Sequence, residues 1–237
     1  MLSPGPPQFR TTRWSLVART RGSHPDRAAA LETLCRAYWR PLYAFLRRDG
    51  HPPEEAEDLV QGLLADLLER DDFAVADPER GRFRTFLLAA LKNYRSKWRE
   101  KADAVKRGGR MTRRPLDFGA AEIAYRLEPG GRPADRVFER QWALATIEHV
   151  LAEVERKQSE AGRGAWFAAL RGTLTGEAAA PYAEIAAALG STPGAVKAAA
   201  ARLRRDFRSE LDVALADGID EADAAAERAA LFAALGQ

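Results

Sequence analysis

Apolar residues recur along most of the chain at the three- and four-residue spacing of an α-helix, and no segment alternates as a half-buried strand would. Over 26–48, Leu31, Leu34, Cys35, Tyr38 and Leu42 share one stripe, which predicts a first helix with Pro41 as a candidate bend. The polar, proline-rich stretch 49–53 ends it. Glu54, Glu55 and Glu57 then favour a new helix start, because acids are stabilised by the positive end of the helix dipole. Ala56, Leu59, Val60, Leu63, Leu64, Leu67 and Leu68 carry that helix for more than three turns. After a loop over 71–81, a third helix is expected over 82–104, burying Phe83, Phe86, Leu87, Ala90, Leu91 and Tyr94.

The pattern then breaks. Between 106 and 133 the chain is rich in Gly, Arg and Pro, which predicts a flexible basic linker. Phe118, Ile123 and Tyr125 hint at a short docking element within it. Helical spacing resumes at 134 with Val137, Trp142, Leu144, Ile147 and Leu151, followed by a further helix near 166–170. The segment 181–208 spells two helices and a tight turn. Tyr182, Ile185, Ala186 and Leu189 form the first apolar stripe, Gly190 suits a left-handed helix end, Ser191 or Thr192 can cap the next helix, and Pro193 fits its first turn. In the second helix Val196, Ala200 and Leu203 face inward, while Lys197, Arg202, Arg205 and Arg208 face outward. The fold expected is all-α: an extension over 1–25, a helical domain over 26–105, a linker over 106–133, a helix-turn-helix domain over 134–215 and an acidic extension over 216–237.

Net charge adds little, but its distribution adds more. The 237 residues carry 37 Lys or Arg and 34 Asp or Glu, for a formal charge of +3. Over 82–114, twelve Lys or Arg face only Glu100 and Asp103, whereas over 210–237 seven Asp or Glu face only Arg228. A polyanion-binding middle and an acidic tail follow. Cys35 lies on an apolar stripe without a partner motif and reads as core. His24, His51 and His149 lack metal-ligand spacing, so neither a metal nor another cofactor is expected. With no signal-peptide pattern and no long uncharged apolar span, the chain is expected to be soluble and cytoplasmic, with no membrane partner.

Two surfaces suit nucleic acid. On the 82–104 helix, Arg84, Lys92, Arg95, Ser96 and Arg99 are expected opposite the core stripe, with Trp98 at its border; cations meet phosphates and rings stack on unpaired bases. The basic helix after Pro193 carries short side chains and cations, which suits a major groove.

The order AEDLVQGLLADLLERDDF (56–73), RFRTFLLAALKNYRSKWREK (82–101), linker and PYAEIAAALGSTPGAVKAAAARLRR (181–205) resembles bacterial RNA polymerase sigma factors of the extracytoplasmic-function (ECF) group. A TRWSLV stretch at 12–17 is similar to one subgroup. The resemblance implies a non-enzymatic subunit that binds core RNA polymerase and promoter DNA, both duplex and melted strand, with an anti-sigma protein as a further candidate partner. It implies clamp contacts by Asp58, Gln61 and Leu64, with Gly62 departing from the usual acidic residue. It places Phe73 and Asn93 around a flipped base of the −10 element, Lys92, Arg95 and Arg99 on the backbone phosphates, and Arg82 and Arg84 among the other −10 contacts. For the −35 element it implies Thr192, Lys197, Ala198, Ala201, Arg202 and Arg205. The alanine run at 198–201 departs from the polar readers common there and shifts specificity toward Arg202 and DNA shape.

Two other functions fit parts of the chain. One is a helix-turn-helix regulator that never joins polymerase as a sigma subunit. The other is an enzyme using Asp58, Asp66, Glu69 or Asp72, but no histidine accompanies these acids, and no phosphate-cradling loop or nucleophile elbow is present. The tail, with Asp220 as a cap and Leu231, Phe232 and Leu235 as an apolar patch, has two readings. It either folds back and competes with DNA or forms a solubilising helix.

Overall fold

The computed structural model describes residues 17, 19, 20, 25–69, 82–104, 116–176, 180–216 and 221–236. Among the described residues there are ten helices and no strand: α1 (Arg27–Arg48), α2 (Pro53–Glu69), α3 (Phe83–Ala104), α4 (Phe118–Arg126), α5 (Ala134–Glu160), α6 (Gly164–Leu170), α7 (Gly172–Thr175), α8 (Tyr182–Ala188), α9 (Pro193–Ala216) and α10 (Glu221–Leu235). The all-α expectation therefore holds for these residues. The chain divides into two compact units, Met1–Ala145 with Leu215–Gln237, and Thr146–Ala214.

In the first unit α1, α2 and α3 close a core through the stripes that their spacing predicts. Leu34, Leu42, Leu46, Leu59, Val60, Leu63, Phe83, Leu87 and Leu91 are all buried. Tyr38 meets Phe83 edge-on at 5.3 Å between ring centroids, which joins α1 to α3. Gly62, the departure noted in α2, has a packing cause. It is buried, and a Cβ there would run into the Tyr94 hydroxyl, with Tyr94 Cζ only 3.0 Å away. Glycine here makes room for α3 and does not face outward.

Within the segment 106–133, the docking element expected around Phe118 is a helix, α4, packed on α1. Asp117 caps α4 by accepting from the Ala120 amide at 3.0 Å. Phe118 packs against Trp39 and Tyr43 of α1 at 5.1 and 5.4 Å. Beside it, Arg47 grips Glu122 with two hydrogen bonds (2.8 and 3.0 Å), and Tyr43 donates to the same carboxylate at 2.8 Å. The hydrogen bonds from Arg47, helped by those from Tyr43 and Arg126, hold the Glu122 carboxyl at about 2 against the cost of its burial. Burial, then the Glu122 hydrogen bond, push the Tyr43 phenol up.

The second unit uses the later turns of α5 with α6, α8 and α9. Val150, Leu151, Val154, Phe167, Leu170, Ile185, Val196, Ala200 and Leu203 form its core. Gly190 (φ 60°) ends α8, and the Ser191 amide closes the turn on Ala186 O at 2.8 Å. Thr192 caps α9, its hydroxyl accepting from the Ala195 amide at 3.3 Å.

Two stability measurements follow. Replacing a mid-helix glycine by alanine ordinarily gains about 1 kcal/mol. Gly62→Ala should instead lose ~1–3 kcal/mol in urea unfolding, because it displaces Tyr94. In a Tyr94→Ala background the same change should stabilise; stabilisation in the parent chain would contradict the contact. For Glu122, a depressed carboxyl adds stability above its unfolded-state value and loses it as pH falls toward the folded value. Glu122→Gln should therefore be less stable than the parent near neutrality, with the gap closing between about pH 5 and about pH 2. A gap independent of pH would contradict the network.

Candidate nucleic-acid interface

On α9 the helical period lifts one row of side chains away from the core. Val196, Ala200 and Leu203 are buried, while Lys197, Ala198, Ala201, Arg202 and Arg205 are exposed, as is the capping residue Thr192. The structure thus brings all six residues expected at the −35 element to the α9 surface or its first turn. Ala198, Ala201, Arg202, Arg204, Arg205 and Arg208 line a shallow depression on this helix. Its alanine floor leaves room for close approach of a polyanion, and its guanidiniums supply forked donors to phosphate or base edges. Arg204 also donates to the Tyr182 hydroxyl at 3.3 Å, tying α9 to α8. Buried Gln158 steadies the helix from the other side, donating to Asp206 at 2.9 Å and accepting from Arg163 at 2.7 Å.

The α3 face differs from its expected form. Arg84, expected outside, is 1% exposed, which corrects its assignment to the DNA-contacting surface in this conformation. Its Nε donates to Glu139 of α5 at 2.9 Å, and its Nη1 pairs with Glu227 of α10. Its guanidinium lies 3.8 Å from the Trp142 ring centroid. Burial pulls the Arg84 guanidinium down to about 10, against the opposing pull of Glu139. The reason for the misplacement is a second layer. Arg84 lies one position past Phe83, and α5 and α10 cover the side of α3 that α1 and α2 leave open. Arg82 is half-buried with its Nε 3.4 Å from Glu227 Oε2, and burial lowers its pKa too.

Farther along α3, Lys92 pairs with Asp135 at 2.7 Å; both side chains are well exposed. Arg95 pairs with Asp49, and Asn93 is exposed. Such partly solvated pairs are worth about 0–1 kcal/mol each, so phosphates can replace the carboxylates cheaply. Phe73 and the Arg99 side chain lie outside the described residues.

On α2, Asp58 is exposed and Gln61 half-buried, but Leu64 is core at 6% exposure. Its assignment to an outward clamp contact is corrected: the 3.6-residue period turns it inward with Val60 and Leu67. Sequence reasoning missed Glu139, Trp142 and Glu227 as partners of Arg84. One signal for Glu227 existed, since Ala224, Glu227 and Leu231 share a helical stripe.

Among the described residues no group of three or more His, Cys, Asp or Glu side chains is placed to hold a metal ion. Among them, too, no helix is long and apolar enough to cross a membrane. Comparison with known proteins gives no matching family model, no matching curated protein and no matching solved structure.

Removing Arg84 should expose the cost of its partners. Arg84→Ala leaves the buried Glu227 carboxylate with the more distant Arg82 alone and should destabilise the chain by about 3–5 kcal/mol in thermal or urea unfolding. Adding Glu227→Leu should recover part of that loss. A loss below about 1 kcal/mol would mean that the pair is solvated.

Proposed function

We propose that the chain is a sigma-type subunit of bacterial RNA polymerase, which binds the core enzyme and directs recognition and melting of promoters. The observation that carries this reading is the α9 row: Lys197, Ala198, Ala201, Arg202 and Arg205 exposed together above a buried Val196–Ala200–Leu203 stripe. A helix so built, entered through the Gly190 turn and the Thr192 cap, suits a major groove at a −35 element as the reading half of a helix-turn-helix. Ala198 and Ala201 offer methyl contacts to thymine, and Arg202 offers the forked donor that reads guanine.

The first unit then handles the −10 element and the polymerase clamp. Asn93, exposed on α3, is the amide proposed to read a flipped base, with Phe73 as the pocket wall. Lys92 and Arg95 would exchange Asp135 and Asp49 for backbone phosphates on binding. Asp58 and Gln61 on α2 are proposed to meet the clamp. The chain carries no chemistry of its own in this reading; nucleotide addition belongs to the polymerase, and the site of action is the cytoplasm.

A second reading has one observation in its favour. With Arg84 buried and Lys92 and Arg95 paired, the α3 face offers less free positive charge than its sequence does, which suits a helix-turn-helix regulator without a melted-strand grip. Association with polymerase separates the two.

Mixed with core RNA polymerase, the full chain should co-elute at one copy per enzyme and support transcripts from defined start sites. A regulator would do neither. Arg202→Ala should weaken binding to the upstream element by about 5- to 150-fold, the cost of a lost bidentate base contact of about 1–3 kcal/mol. It should spare binding to unrelated duplex far more; equal loss on every sequence would make Arg202 a phosphate contact only.

A further inference from the structure

The acidic tail does find a basic partner, but on α3. Helix α10 turns one narrow stripe inward: among its described side chains only Ala224, Glu227 and Leu231 are buried. Leu231 is its one large apolar anchor, worth about 1.5–3 kcal/mol on burial, and Phe232 remains 54% exposed. Polar contacts do the rest. Glu227 pairs with Arg84 through Oε1 and approaches Arg82 Nε at 3.4 Å through Oε2. At the far end Arg140 donates to the Leu235 carbonyl at 2.9 Å, meeting the negative end of the helix dipole. A helix of 15 residues with so small an apolar face has little hold beyond these charges. The charges are themselves costly to bury: Arg84 and Glu227 are 1% exposed each, and Arg84 Nη2 makes no hydrogen bond.

We propose that α10 is a detachable acidic seal over a phosphate-binding site formed by Arg82 and Arg84, with the Glu227 carboxylate standing where a phosphodiester of single-stranded nucleic acid binds once α10 leaves. The inference rests on the reading of the α3 face as a nucleic-acid surface. The two arginines lie within one turn at the start of α3, which also presents Lys92, Asn93 and Arg95. Glu139 keeps its hold on Arg84 Nε when α10 departs, so the guanidinium stays oriented while Nη1 exchanges a carboxylate for a phosphate oxygen. Competition is direct, because one anion excludes the other. In the sealed form the chain binds melted strand weakly; the same strand, once presented by an opened template, displaces α10.

The test uses a fluorescein-labelled 20-nucleotide single strand of mixed sequence and anisotropy titrations across a salt series. Glu227→Gln, which keeps α10 but removes its charge, should bind the strand several-fold tighter than the parent, and a chain ending at Ala216 about tenfold tighter or more. The log–log salt slope of the shortened chain should steepen by about 0.7 for each additional phosphate that it neutralises. Arg84→Gln in the shortened chain, where Glu227 is no longer present to be stranded, should cancel the gain. A triple change Asp217→Asn, Asp220→Asn, Glu221→Gln, which removes more charge, should do less than Glu227→Gln alone. Equal affinities for the parent, Glu227→Gln and the shortened chain would overturn the seal. So would a triple variant matching Glu227→Gln, because the effect would then be general repulsion. Failure of the sigma reading is seen separately, as loss of co-elution of the parent chain with core polymerase.

Discussion

Arg84 projects from α3 between Glu139 and Glu227, lies over the Trp142 ring, and so joins three helices that are remote in sequence. Val137, Phe138 and Trp142 of α5 and Leu231 of α10 are buried as well, so apolar packing draws these helices in and Arg84 adds a charge that they must meet. A buried charge is held only by opposite charge and hydrogen bonds, so α5 and α10 must also set Glu139 and Glu227 against it. The same pair makes the arrangement conditional: any anion able to replace Glu227 competes for Arg84.

The two units handle charge in opposite ways. On α9 the arginines stand on the exposed side of a helix whose opposite side is buried, and alanines between them keep the surface low. That surface is open to solvent. On α3 three cations are matched with carboxylates, Lys92 with Asp135, Arg95 with Asp49 and Arg84 with Glu139 and Glu227. Duplex DNA is always available to a reading helix, whereas unpaired strand appears only after opening. On the proposed reading, a grip for unpaired strand that stays masked until then limits unproductive binding to nucleic acid at large.

Helix periodicity made much of the architecture legible. The starts of α1, α3 and α5, the glycine turn and the cap of α9, and the outward row Lys197 to Arg205 all follow from spacing and capping chemistry. Local rules describe each helix well because they need only near neighbours. They fail where distant segments meet. Arg84 reads as solvent-facing until α5 and α10 are laid over it, and Leu64 reads as surface only when family position outweighs the helical period. Gly62 reads as a lost charge until Tyr94 is found against it. In the 106–133 segment the apolar residues near Phe118 signal the docking element, but the Gly–Pro–Arg composition around them hides its form, a nine-residue helix capped by Asp117.

On the proposed reading, this chain lets polymerase open DNA and hold one strand of it. Permanganate reactivity of thymines, in a promoter bound by core enzyme plus the full chain, reads that opening without an intermediate step. A contiguous block of reactive thymines upstream of the start site is expected, and only when both components are present. Thymines that stay protected in the complex, although the chain is bound to duplex through α9, would contradict the proposed role.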